Sequence, residues 1–214
     1  MPELSFQVEK AEPIPHAATP QLAFRLDVRA MGPTPVHSIV LRCQIRIEPA
    51  RRRYGPGEQE RLHDLFDEPG RWGQTLQPML WTHAGVVVPA FTTRTAVDLP
   101  VPCTYDFNVA ATKYFAALED GEVPLRLLFS GTVFYEAPGC GLQVGQIPWD
   151  KETAFRLPVR VWKEMMDHYY PNSAWLCLRK DVFDQLYQYK RDRGLPTWEQ
   201  ALESLLAAAE QPRT

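Results

Sequence analysis

Along the first half of the chain, apolar and polar side chains alternate with a period of two. Leu4, Phe6 and Val8 mark a short first strand. In the next run Leu22, Phe24, Leu26 and Val28 point one way while Ala23, Arg25, Asp27 and Arg29 point the other. Ile39, Leu41, Cys43, Ile45 and Ile47 repeat the pattern, with Arg42, Gln44 and Arg46 on the opposite face. Successive Cβ atoms leave a strand on opposite sides, so such runs predict half-buried antiparallel strands. Met31-Gly32-Pro33-Thr34-Pro35 reads as the turn that joins the second run to the third.

Residues 51–73 break the alternation. A short helix is expected from Glu58 to Phe66, with Leu62, Leu65 and Phe66 on one face and Pro69-Gly70 as its stop. Strands are expected again near Thr75–Thr82, Val86–Val88, Phe91–Leu99 and Thr104–Val109. Ala111, Tyr114, Phe115 and Leu118 have helical spacing and are followed by Gly121. Further strands are expected at Leu125–Phe129, Thr132–Tyr135 and Leu142–Ile147, the last entered through a turn over Ala137–Gly141. From Pro158 the period becomes helical, with Trp162, Met165, Met166 and Tyr169 on one side up to Pro171. Ala174–Leu178 reads as a last strand. Asp181 is the expected N-cap of a second helix carrying Val182, Phe183, Leu186 and Tyr187, and Thr197 with Gln200 opens a third.

Many short strands followed by helices predict a mainly β fold: an antiparallel two-sheet, sandwich-like core with C-terminal helices. The expected division is a β-rich core over 1–157 with short helical insertions, and a helical region over 158–214 packed on the same core. The alternative is an α+β fold with the helices packed on one antiparallel sheet. Twenty prolines, mostly at the edges of apolar runs, suit many short strands separated by rigid turns.

A formal charge of −3 provides no general field for nucleic acid or anionic lipid. The one basic run, Arg51-Arg52-Arg53, reads as a solvated loop. The N-terminal residues lack the basic and apolar regions of a signal peptide, and no apolar run approaches the roughly 20 residues of a membrane span. Together with four scattered cysteines, these features lead to the expectation of a cytoplasmic chain without membrane insertion.

Candidate chemistry is sparse. Gly139, Gly141 and Gly145 do not form a dinucleotide or phosphate loop, and neither cysteines nor histidines fall at metal-ligand spacing. No cofactor, metal or catalytic residue is therefore expected. The six tryptophans are more suggestive. Trp72 lies in the Gly70–Gly73 segment and Trp149 follows Ile147-Pro148, positions where a large rigid side chain can anchor an interface. The terminal helix adds Trp198, Leu202 and Leu205 to the candidate interaction surface, with Ala201, Leu206 and Ala209 on the same side.

Several blocks together resemble a known family: Val101-Pro102-Cys103-Thr104-Tyr105-Asp106-Phe107, Lys113-Tyr114-Phe115, Leu128–Phe134 and Pro171-Asn172-Ser173-Ala174-Trp175-Leu176. The resemblance is to an uncharacterised bacterial domain-of-unknown-function family whose members neighbour uptake [NiFe]-hydrogenase genes, and it spans nearly the whole chain. It implies an accessory role and carries no catalytic residues. The leading expectation is a non-catalytic accessory or assembly protein that docks a protein partner, linked to hydrogenase. One alternative is a small-molecule-binding protein or enzyme with a site between sheet and helices, Cys103, Asp106, His83 and Arg71 being the first suspects. The other is a holdase-type chaperone with a long apolar groove.

Overall fold

The computed structural model describes residues 1–106, 108–137 and 139–210. In chain order the strands are β1 (Glu3–Pro13), β2 (Gln21–Met31), β3 (Val36–Ile47), β4 (Met79–Val88), β5 (Arg94–Pro102), β6 (Glu122–Ala137), β7 (Gly141–Gln146) and β8 (Glu152–Pro158). They form two antiparallel sheets. One has the order β1-β2-β5; the other runs β4-β3-β6, with β7 and β8 pairing successive lengths of β6 on the side away from β3. The mainly β, two-sheet fold expected from the alternation is the observed one.

Each alternating run buries its apolar side between the sheets. Leu22, Phe24, Leu26 and Val28 of β2 face Ile39, Leu41, Cys43 and Ile45 of β3 and their neighbours on β6, all buried. Aromatic pairs cross the gap: Phe6 of β1 stacks on Phe129 of β6 at 4.5 Å, and Phe24 meets Trp81 of β4 at 6.0 Å and Phe155 of β8 at 5.8 Å. Such offset and edge-on contacts add to the area term that drives sheet-on-sheet packing.

Several local expectations change. The segment after Met31 is not a hairpin turn but a crossing between sheets, because β2 and β3 belong to different layers. The helical insertion is broken into α1 (Pro56–Arg61), α2 (His63–Phe66) and α3 (Trp72–Thr75), and α3 occupies the start of the strand expected at Thr75. In place of a strand over Thr104–Val109 there is a turn at Tyr105-Asp106 and then α4 (Val109–Ala117), capped by the Asn108 side chain, which accepts from the Ala111 N–H at 3.0 Å. Phe107 of that expected strand, Pro138 of the expected turn and the last four residues lie outside the described residues. The two expected strands over 125–135 are one continuous β6, and β8 was not expected at all. α5 (Val159–Tyr169) follows with Pro158 at its N-cap.

The chain divides into compact units at Ser173/Ala174, so α5 belongs with the sheets, beyond the 157/158 boundary expected from the change of period. α5 buries Val159, Trp162, Met165 and Met166, and the Trp162 ring stacks on Phe115 of α4 at 5.1 Å. The second unit begins at Ala174 and contains α6 (Lys180–Asp192) and α7 (Trp198–Glu210). Residues 174–179 form no strand, since no neighbouring strand pairs with them. Arg179 rather than Asp181 occupies the cap of α6, with Asp181 in the first turn, where it still opposes the helix dipole. Thr197 Oγ1 accepts from the Gln200 N–H at 3.2 Å at the start of α7.

The insertion is held by a buried ion pair. Arg52, expected on a solvated loop, is largely withdrawn from solvent, with its side chain 9% exposed, and its guanidinium donates to Glu58 at 2.5 Å and to the carbonyls of Asp120 and Glu122. Glu58 also accepts from the N–H groups of Gly55 and Glu119. Burial raises the Glu58 pKa, but the two N–H groups and Arg52 more than offset it and hold the carboxyl below 4.5. Tyr54 donates to the Pro49 carbonyl and shares a 2.8 Å hydroxyl contact with Tyr114 of α4; burial pushes the Tyr114 phenol up to about 12.

Two outcomes follow from this arrangement. Gly131 has φ +140°, and a Cβ there would sit 2.1 Å from the Val40 carbonyl oxygen, so Gly131→Ala lowers stability by at least about 2 kcal/mol, read from the urea midpoint. Because the folded Glu58 pKa is depressed, its contribution is complete above 4.5 and is lost as the pH falls through the lower folded value. Glu58→Gln therefore loses about 3 kcal/mol at neutral pH and shows a shallower decline of stability below about pH 5 in pH-dependent urea unfolding.

Candidate functional site

The outer faces of the two sheets differ in chemistry. On the three-stranded sheet several outward side chains of β1, β2 and β5 are charged and paired with one another. Asp27 is buried beneath Arg29 and Arg94, Arg94 also holds Glu9 at 2.8 Å, and Arg25 pairs with Asp98 at 3.2 Å. Burial raises the Asp27 pKa, but hydrogen bonds from Arg94 and Arg29 override it and hold the carboxyl below 3.8. This is a solvated surface whose charges are internally satisfied.

The five-stranded sheet presents two zones on its outer face. Cross-strand register places Val87, Val40, Thr132 and Gln146 in one row, Ser38, Phe134 and Val144 in the next, and Glu136 with Leu142 beyond. Val40, Val87, Leu142 and Val144 are 43%, 63%, 55% and 60% exposed, so this end carries uncovered apolar side chains between the polar Ser38, Thr132, Gln146 and Glu136. The adjoining rows are polar and cationic: Gly85, Arg42 and Ser130, then His83, Gln44 and Leu128, then Leu80, Arg46 and Arg126. A groove of about 630 Å³ lies there, lined by Arg42, Gln44, His83 and Ser130 above the backbone around Gly85. Gly85 and Ser130, both small, flank Arg42 on the neighbouring strands. The Gln44 carboxamide accepts from Arg46 at 2.9 Å, which leaves its nitrogen to donate to the His83 ring 3.3 Å away.

At the lateral edge of this sheet the partner of β6 is interrupted. β7 ends where the Ile147 N–H donates to the Gly131 carbonyl, and pairing resumes where the Phe129 N–H donates to the Lys151 carbonyl. The residues between form a turn closed by the Lys151 N–H on the Pro148 carbonyl. Trp149 sits in that turn and is 91% exposed. Proline at the turn entry removes one donor from the ladder and fixes the chain direction, which is the local reason the strand breaks there.

Of the residues expected to form an interaction surface, Trp72 and Trp149 belong to the first unit and Trp198, Leu202 and Leu205 to the second. Trp72 is packed in the insertion: its indole N–H donates to the Asp67 carbonyl at 2.9 Å and its ring meets Tyr54 and Phe66 edge-on. Trp198 lies against Phe183 and Tyr187 between α6 and α7, with Lys190 over its ring at 5.7 Å. In the second unit Leu202 is exposed and Leu205 half-buried. Sequence reading overlooked Val40, Val87, Leu142 and Val144. The available signal was an apolar residue on the polar side of an alternation, as in Ile39-Val40-Leu41 and Val86-Val87-Val88, where a strand can bury only one face.

The four residues suspected of a catalytic or ligand role occupy separate environments. Cys103 is buried, its thiol bonded to the Val101 carbonyl and pushed up to about 12 by burial. His83 is on the groove described above, Asp106 is exposed in the turn before α4, and Arg71 pairs with Asp67 in the insertion. Among the described residues no three His, Cys, Asp or Glu side chains are grouped to hold a metal ion. Among the described residues no helix is long and apolar enough to cross a membrane.

This sandwich with an uncovered, two-zoned outer face belongs to a family described as "Family of unknown function (DUF6084)", whose model matches residues 1–214. No curated protein matches the chain. Among solved structures it is similar to a candidate late embryogenesis abundant (LEA) protein, at 13% identity and a TM-score of 0.31, over 74% of this chain and 72% of that one. It is also similar to a stretch of β-glucosidase from Kluyveromyces marxianus, at 9% identity and a TM-score of 0.25, over 72% of this chain and 15% of that one. At these scores neither likeness bears on function.

Thiol chemistry offers a direct check on the site geometry. Cys43 and Cys103 are buried with thiols pushed up to about 12, whereas Cys140 and Cys177 are exposed. Titration of the native protein with an aromatic disulfide near neutral pH should modify Cys140 and Cys177 rapidly, and Cys43 and Cys103 only after denaturation.

Proposed function

We propose that this chain is a non-catalytic accessory protein that docks a protein partner on the outer face of its five-stranded sheet. The observation that carries the reading is the contiguous apolar zone of Val40, Val87, Leu142 and Val144, with the fully projecting Trp149 at the edge of the same sheet. Exposed apolar groups in register on one face gain free energy when a partner removes them from water, and a projecting tryptophan offers a large contact at small entropic cost. The opposite sheet, with its paired charges, has no comparable drive to associate. The bacterial, hydrogenase-linked setting implied by the family resemblance makes components of hydrogenase assembly in the cytoplasm the first partners to test.

The test is site-specific photo-crosslinking in the native host, with a benzophenone amino acid at Val144 in one strain and at Glu12, on the opposite sheet, in another. A discrete adduct with one protein from Val144, lost on Val87→Lys and Trp149→Ala while the folded protein persists at normal levels, is the expected result. Adducts that are equal from the two faces, or unaffected by those substitutions, would remove the reading. A smear of many clients from Val144 would favour a holdase instead.

A further inference from the structure

The cationic rows beside the apolar zone specify what the partner carries. Arg42, Arg46 and His83 point outward from adjacent rows of β3 and β4. Neither Arg42 nor Arg46 takes part in an ion pair among the described residues. The nearest carboxylates by register are already engaged. Glu152 is held by Arg126, and Glu48 lies 3.3 Å from Arg126 and 3.1 Å from Arg51. Glu136 lies at the far end of β6, beside Leu142. Around Arg42, Gly85 leaves space on one side and the Ser130 hydroxyl offers a donor on the other, with the Gln44–His83 pair closing the groove.

We infer that this groove is an anion subsite, and that the segment docking on the sheet is an acidic peptide whose carboxylate reaches Arg42 while its apolar residues cover Val40 and Val87. The inference rests on the docking reading for the apolar contacts and adds the charge. Guanidinium and hydroxyl donors facing no local carboxylate are the complement of a carboxylate, which can accept from Arg42 and Ser130 together. Adjacent rows on a sheet are spaced closely enough that neighbouring side chains of one extended segment can meet the apolar and cationic rows in turn.

The experiment measures binding of three short fluorescent peptides to the full chain by anisotropy: alternating glutamate and valine, alternating lysine and valine, and alternating glutamate and serine. The glutamate–valine peptide should bind tightest. Arg42→Glu and Arg42→Gln should each weaken it about tenfold or more, with the thermal midpoint unchanged because the residue is exposed. Added salt should weaken the wild-type complex more than either variant's. If the lysine–valine peptide binds as tightly, or Arg42→Glu has no effect, the anion subsite is overturned and docking on the apolar zone stands. If the glutamate–serine peptide binds as tightly as glutamate–valine, the subsite stands and the apolar docking falls. No binding by any of the three overturns both.

Discussion

Everything in the first unit depends on one interaction, the closure of the inward faces of β2 and β1 on those of β3 and β6. A strand has two faces and cannot bury both in a two-layer fold, so the choice of inward face also decides what each outward face presents. Because Phe24, Phe6 and their neighbours are locked against Trp81, Phe155 and Phe129, a one-residue slip would expose the whole apolar set. The outward faces are therefore as rigidly specified as the core. That rigidity is what allows a surface row such as Val87–Val40–Thr132 to act as a preformed docking strip rather than a mobile patch.

The insertion shows a different strategy. The three short helices α1, α2 and α3 and their turns cannot bury enough apolar surface to fix their own position, and the Arg52–Glu58 pair supplies the directionality that packing lacks. Beside the local Gly55 N–H bond to Glu58, the bonds around it reach across chain segments: Arg52 to the carbonyls of Asp120 and Glu122, Glu58 to the Glu119 N–H. A buried pair of this kind adds little net stability over an apolar replacement but is costly to leave half-made. It specifies one seating of the insertion over α4.

The two sheets also divide labour electrostatically. On the three-stranded sheet, acid and base are neighbours in the register and cancel locally. On the five-stranded sheet, the acids nearest to Arg42 and Arg46 are held by other arginines: Glu152, in the row of Gln44 and Leu128, by Arg126, and Glu48 by Arg126 and Arg51. Surface cations are ordinarily unremarkable, but here the lack of local compensation coincides with a groove and with an uncovered apolar zone in continuous register. The docking reading and the acid preference follow from that coincidence rather than from any single residue.

How much of this was legible in the chain can be traced residue by residue. Local alternation revealed the strands β1, β2 and β3, their inward residues and the two-sheet class, because periodicity two is a property of the backbone itself. The helices α4 to α7 were legible in the same way from their longer period. The crossing of Met31–Pro35 between layers was not legible, since a turn and a crossing have the same composition. Nor was β8, whose short run becomes a strand only because the far half of β6 is there to pair with it. Arg52 looked like its solvated neighbours Arg51 and Arg53 until the loop before β6 closed over it. Trp149 was singled out by its place after a proline, yet Val87 and Val144 entered the same surface only when register set them on one face. The sequence by itself determined which side of each strand seeks the core. Tertiary pairing alone decided which outward residues became neighbours, because that depends on contacts between segments far apart in the chain.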